Sequence, residues 1–98
     1  MREKRKSVKI REKISQKRAD VNLGKRGLSE SVIMEIKRRL KDEGVLKVRI
    51  LKSCLKVTGL DRKTLAKRVA EIVNAELVTV RGYTFILKRK PGKEENIR

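Results

Sequence analysis

Val21-Asn22-Leu23-Gly24-Lys25-Arg26-Gly27-Leu28-Ser29 carries a strand end, a turn and a helix start within one short stretch. Val21 and Leu23 fall on one face of an extended segment beginning at Asp20. Ser29 suits a helix N-cap, and Glu30 behind it suits the positive end of the helix dipole. Between them stand two glycines spaced by two residues, with Lys25 and Arg26 enclosed. Glycine lacks a Cβ, so backbone can approach a phosphate closely and adopt positive φ. The N–H groups of a helix start favour anions. The longer nucleotide-loop patterns GxxxxGK[ST] and GxGxxG are absent.

Working outward from this stretch, the helical spacing of Val32, Ile33, Ile36 and Leu40 predicts a helix from Glu30 to Glu43, stopped by Gly44. Arg38 and Lys41 fall on its opposite face as solvated residues. Leu46, Val48 and Ile50 alternate with Lys47 and Arg49, predicting a strand with one apolar and one basic side. Ser53 to Gly59 reads as a loop. Asp61 reads as an N-cap with Leu60 as a hydrophobic staple on Leu65, opening a helix that runs to about Asn74. Leu77–Arg81 and Thr84–Lys88 form a hairpin turned at Gly82-Tyr83. On the N-terminal side, Ile10 and Ile14 give a thin stripe to a helix from Val8 to Lys17.

The expected fold class is therefore a single α/β domain of order αβαβαββ. Two helices with single apolar stripes cover one face of a four-stranded mixed sheet. Residues 8–90 form the expected domain, between a disordered basic N-terminus (1–7) and a flexible polar tail (91–98).

The 98 residues include 29 Lys or Arg and 12 Asp or Glu, for a net charge of +17. The excess is +8 over residues 1–28, +4 over 29–60 and +5 over 61–98, so no third of the chain is neutral. Such self-repulsion destabilises a compact fold unless a polyanion neutralises it. Nucleic acid is the expected partner. An anionic membrane fits less well, because no basic segment has a wide apolar face with Trp or Phe. No apolar run approaches a membrane span or a signal peptide's core. The absence of His removes imidazole chemistry and His ligands, and Cys54 alone forms neither an intrachain disulfide nor a thiolate zinc cluster. Asp42-Glu43 and Glu94-Glu95 are adjacent pairs whose carboxylates diverge. The expectation is a cytoplasmic non-enzyme with no cofactor, no metal and no small-molecule substrate. Tyr83 and Phe85 are the sole aromatics; Phe85 belongs to the core, and Tyr83 sits at a turn.

The KH module uses a GxxG loop to clamp backbone nucleotides. Gly24-Lys25-Arg26-Gly27-Leu28-Ser29, followed by Val32, Ile33 and Ile36, resembles the signature of the CRM (chloroplast RNA splicing and ribosome maturation) domain, whose single-domain prokaryotic members are called YhbY-like. The resemblance continues through Leu46-Lys47-Val48-Arg49, Asp61-Arg62-Lys63, Ala75-Glu76-Leu77-Val78, Gly82 and Leu87-Lys88-Arg89, and the chain looks like a single-domain member of archaeal type. It implies a fold similar to the C-terminal domain of bacterial initiation factor three. It also implies RNA binding without catalysis, on ribosomal RNA in subunit assembly or as a ribosome component. The family's loop role falls on Gly24, Lys25, Arg26 and Gly27. Its basic first helix is matched in charge by Lys9, Lys13, Lys17 and Arg18. Lys47 and Arg49 are further candidates on the sheet. Two other readings stand beside this one: an Alba-like chromatin protein on duplex DNA, and a ribosome-bound translation factor. The sequence does not specify the oligomeric state.

Overall fold

A helix (α1) is present at residues 10–15, the first of the residues (10–90) that the computed structural model describes. The remaining elements are β1 (Val21–Leu23), α2 (Glu30–Glu43), β2 (Val45–Ile50), α3 (Lys52–Thr58), α4 (Arg62–Ile72), β3 (Ala75–Arg81) and β4 (Thr84–Arg89). The strands lie in the order β1-β2-β4-β3. β1 and β2 are parallel, and β4 is antiparallel to both its neighbours. This is the expected mixed four-stranded sheet in a single α/β domain, with one helix added. The expected termini, 1–7 and 91–98, lie outside the described residues, as does Lys9.

The predicted signals account for most element ends. Ser29 caps α2 by accepting a hydrogen bond from the Val32 N–H. Gly44 ends α2 at φ 84°, and its N–H donates to the Leu40 carbonyl. Ile33, Ile36 and Leu40 of α2 meet Leu65, Ala66, Val69 and Ala70 of α4 in one core with Val21, Leu23, Leu46, Val48, Ile50, Phe85 and Leu87 of the sheet. Leu60, in the staple position, packs against that core. Gly82 turns the β3–β4 hairpin at φ 55°. The irregularity between Leu77 and Thr79 interrupts the β3–β4 register and was not signalled by the sequence.

Two expectations are corrected. Residues 53–59 are not a loop: α3 spans Lys52–Thr58. Leu51, Cys54, Leu55 and Thr58 follow helical spacing. Cys54 is fully buried and Leu55 packs on the core. Gly59, in the left-handed region, stops the helix after two turns. A stripe this short, next to Gly59, was too weak to distinguish from a turn.

The second correction concerns β2. Its outer side is not uniformly basic and exposed. Leu46, Val48 and Ile50 face the main core, and the alternate positions are Val45, Lys47 and Arg49. Lys47 is only 8% exposed, and Val45 is buried beside it. Cross-strand partners place Ile86, also buried, opposite Lys47. The chain leading into β1 covers this side. The Lys47 ammonium donates to the carbonyls of Ile14 and Gln16, and Asp20 exchanges backbone and carboxylate hydrogen bonds with the Lys47 backbone.

Candidate nucleic-acid interface

β1 delivers the chain to a tight turn. The Gly27 N–H donates to the Gly24 carbonyl at 2.9 Å, closing a four-residue turn with Lys25 and Arg26 at its tip. Both side chains are exposed, and neither enters an ion pair among the described residues.

The two glycines have different roles. Gly27 is buried with φ 63°, and a Cβ there would lie 3.3 Å from Cγ1 of Val57 and 3.5 Å from Cγ2 of Thr58. Gly27 therefore serves both conformation and packing against α3. Gly24 has no positive φ, and a Cβ there would lie 3.5 Å from Leu51 Cδ1, an ordinary contact.

The unforeseen helix α3 is thus the wall on which the turn rests. The Leu51 N–H donates to the Leu23 carbonyl at 2.9 Å, fixing the end of β2 to the end of β1. Lys52 and Lys56 of α3 are exposed on this wall. The sequence contains no acidic residue from Val21 to Ser29 or from Val45 to Leu60. Asp20 and Glu30 bound the first stretch, and Glu43 and Asp61 bound the second.

The hairpin tip reaches the same end of the sheet, where the Ile50 N–H donates to the Tyr83 carbonyl. Arg62 of α4 donates to the Gly82 carbonyl at 2.8 Å and lies 5.0 Å from the Tyr83 ring centroid. One face of the ring is therefore occupied by a guanidinium. Strand register aligns Asn22, Arg49, Thr84 and Arg81 in a polar row across all four strands. Arg49 and Arg81 are exposed in that row.

The CRS1 / YhbY (CRM) domain model matches residues 2–89. The chain belongs to the CRM-domain family. It is 39% identical over 67 residues to "Probable RNA-binding protein MJ0652" of Methanocaldococcus jannaschii. That alignment covers 68% of this chain and 48% of the relative, so it spans about half the relative's length. The solution structure of hypothetical protein SAV1595 of Staphylococcus aureus, described as a candidate RNA-binding protein, superposes with a TM-score of 0.65 at 26% identity. The superposition covers 87% of this chain and 84% of that one.

In this CRM domain the candidate residues separate into three groups. Gly24, Lys25, Arg26 and Gly27 form the turn, and Arg49 lies at the same end of the sheet. Lys17 and Arg18 are exposed but precede β1, at its far end from the turn. Lys13 and Lys47 are instead engaged within the fold. The Lys13 ammonium lies 2.8 Å from Asp20 and 2.9 Å from Glu43. Burial opposes the charge on Lys13, but these two carboxylates outweigh it and hold the pKa above the ordinary lysine value. Burial likewise pushes the Asp20 carboxyl up, and hydrogen bonds from Lys13, the Lys47 N–H and Gln16 outweigh it, leaving the carboxyl below its ordinary value. The expectation that Lys13 and Lys47 offer free charge is corrected on these contacts. Conversely, Lys52, Lys56, Arg62 and Arg81 join the basic end of the sheet without having been singled out. The signals were the α3 spacing for the first two and the hairpin register for Arg81. Burial pushes the Cys54 thiol up, away from reactivity.

Proposed function

We propose that this CRM domain binds ribosomal RNA, in subunit assembly or as a ribosome-associated component, with the Gly24–Gly27 turn as its docking point. One observation carries the reading: Lys25 and Arg26 stand exposed at the tip of a turn braced on α3, with no ion pair among the described residues. Turn and brace come from sequence free of acidic residues, so phosphate oxygens meet little competing negative charge. Arg49 and Arg81 extend the contact across the sheet end. The remaining positive surface, including Lys17 and Arg18, supplies a salt-sensitive field. The family match, and the naming of both similar proteins as RNA-binding, support RNA as the polyanion. With one face of Tyr83 covered by Arg62, aromatic base stacking contributes little.

The test is a salt-matched titration of ribosomal RNA fragments. Replacing Lys25 and Arg26 together with Asp should weaken binding more than the same change at Lys63 and Lys67, which are exposed on α4. Equal losses would leave only diffuse charge. In competition at ~150 mM salt, preference for duplex DNA over structured ribosomal RNA would reject the reading in favour of a chromatin-type role.

A further inference from the structure

Beside the turn lies exposed apolar surface that phosphate binding does not use. Val57 is 59% exposed and Leu51 is 38% exposed. Both stand next to the turn, Val57 on α3 and Leu51 at its N-cap: a Cβ at Gly27 would lie 3.3 Å from Val57 Cγ1, and one at Gly24 would lie 3.5 Å from Leu51 Cδ1. The positions beneath them are held firmly. Cys54 is fully buried, Leu55 packs on the core, and the Thr58 hydroxyl donates to the Cys54 carbonyl. The ledge is therefore a fixed feature rather than a frayed loop. Lys25 and Arg26 of the turn and Lys52 and Lys56 of α3 are all exposed, so both elements that carry the ledge are basic.

We propose that Leu51 and Val57 form a ledge for nucleobases, so that the turn site takes unpaired nucleotides of an RNA in preference to duplex. This rests on the RNA-docking reading above and specifies its ligand. In a duplex the base faces are stacked inside, and a protein reaches phosphates, 2′-hydroxyls and groove edges. Only an unpaired nucleotide offers an apolar base face within reach of its own phosphate. A cationic turn directly abutting two exposed aliphatic side chains matches both halves of such a nucleotide. The positive charge of the turn and of α3 selects a polyanionic partner over a neutral apolar one.

The test uses two fluorescein-labelled RNAs at equal salt: a single strand of about ten nucleotides and a fully paired hairpin of the same composition. The full chain is titrated by anisotropy as wild type and as Leu51→Gln/Val57→Thr. Both substitutions retain roughly the side-chain size at exposed positions, and thermal melts confirm folding. The expected result is a loss of about fivefold in single-strand affinity, from base contact area removed. Hairpin affinity and the salt slope should stay unchanged, because no charge is altered. In a second variant, Lys52→Gln/Lys56→Gln, the single-strand salt slope should fall by about 0.7 per lysine. Equal affinities of Leu51→Gln/Val57→Thr and wild type for the single strand, or equal losses on both probes, overturn the ledge. A Lys25→Gln/Arg26→Gln control separates the two readings. If it loses affinity while the ledge variant does not, the ledge alone fails. If it binds both probes as wild type does, the docking reading fails.

Discussion

Gly27→Ala should destabilise this domain much more than Gly24→Ala, although the two glycines occupy equivalent places in the GxxG pattern. At Gly27 the backbone is in the left-handed region, which costs an L-residue about 1–2 kcal/mol. The added methyl also lies 3.3 Å from Val57 Cγ1, close enough that Val57 must yield. Val57 is largely exposed and able to move, so this second contribution stays small. The expected total is therefore about 1–3 kcal/mol. For a domain of this size, a loss of that order lowers Tm by about 4–8 °C per kcal/mol. At Gly24 the φ is ordinary and the contact with Leu51 is relaxed, so alanine should fall within about 0.5 kcal/mol of wild type. The assay is urea denaturation followed by circular dichroism, with both variants, Val57→Ala and the Gly27→Ala/Val57→Ala double. Removing the Val57 methyls should recover the steric part of the Gly27→Ala loss and leave the φ strain. Equal destabilisation at the two glycines would refute the asymmetry, and a coupling between Gly27→Ala and Val57→Ala larger than the φ strain would refute its assignment to the backbone.

Two further outcomes concern the buried polar cluster under the sheet. Lys47→Met keeps the bulk of the side chain but leaves the carbonyls of Ile14 and Gln16 without their ammonium donor, so stability should fall by about 1–3 kcal/mol. Hydrogen exchange over residues 10–16 should quicken, while the salt slope of RNA binding stays at the wild-type value; a lower slope would return Lys47 to the nucleic-acid surface. Asp20 has a folded-state pKa below its ordinary 3.8, so its contribution to stability is present above that value and is lost as pH falls through the folded pKa. Its partner Lys13 is raised above 10.5, so that contribution is present below 10.5 and lost only as pH rises through the folded value. Asp20→Asn should therefore lower the urea midpoint at neutral pH and flatten its decline below about pH 4, and an unchanged acid profile would count against the Asp20 contacts.

The sequence makes legible those elements in which local and tertiary preferences agree. Ser29 and Gly44 mark the ends of α2, and Gly82 marks the hairpin, because each signal acts through its own backbone. The Ile33, Ile36 and Leu40 stripe faces the core as its spacing requires. What was not legible depends on partners distant in the chain. Lys47 alternates with apolar residues as a solvent-facing lysine would, and only the return of residues 14–20 across the sheet buries it. Lys13 has the sequence appearance of a free helix cation, and Asp20 and Glu43 become its neighbours only on folding. In the candidate site the Lys25-Arg26 tip was legible because the glycines frame it. Its α3 wall was not, because that helix takes its stability from burying Cys54 and Leu55 rather than from its own length.

These differences change what the charge of +17 means. A cation held by two carboxylates, as Lys13 is, or by two carbonyls, as Lys47 is, adds rigidity and contributes little to phosphate binding. Both internal clusters lie on the approach to β1, so they fix the strand from which the turn projects. The exposed cations Lys25, Arg26, Lys52, Lys56, Arg49 and Arg81, none of them in an ion pair among the described residues, gather where β1 and β2 end and the hairpin turns back. Net charge alone would make every lysine an equivalent contributor to affinity. On the proposed reading, some basic residues hold the turn in place and others meet the ligand. Neutralising the first kind should therefore change stability at constant salt slope. Neutralising the second should change the slope at constant stability. This separation distinguishes a placed interface from a diffuse field, whatever RNA occupies it.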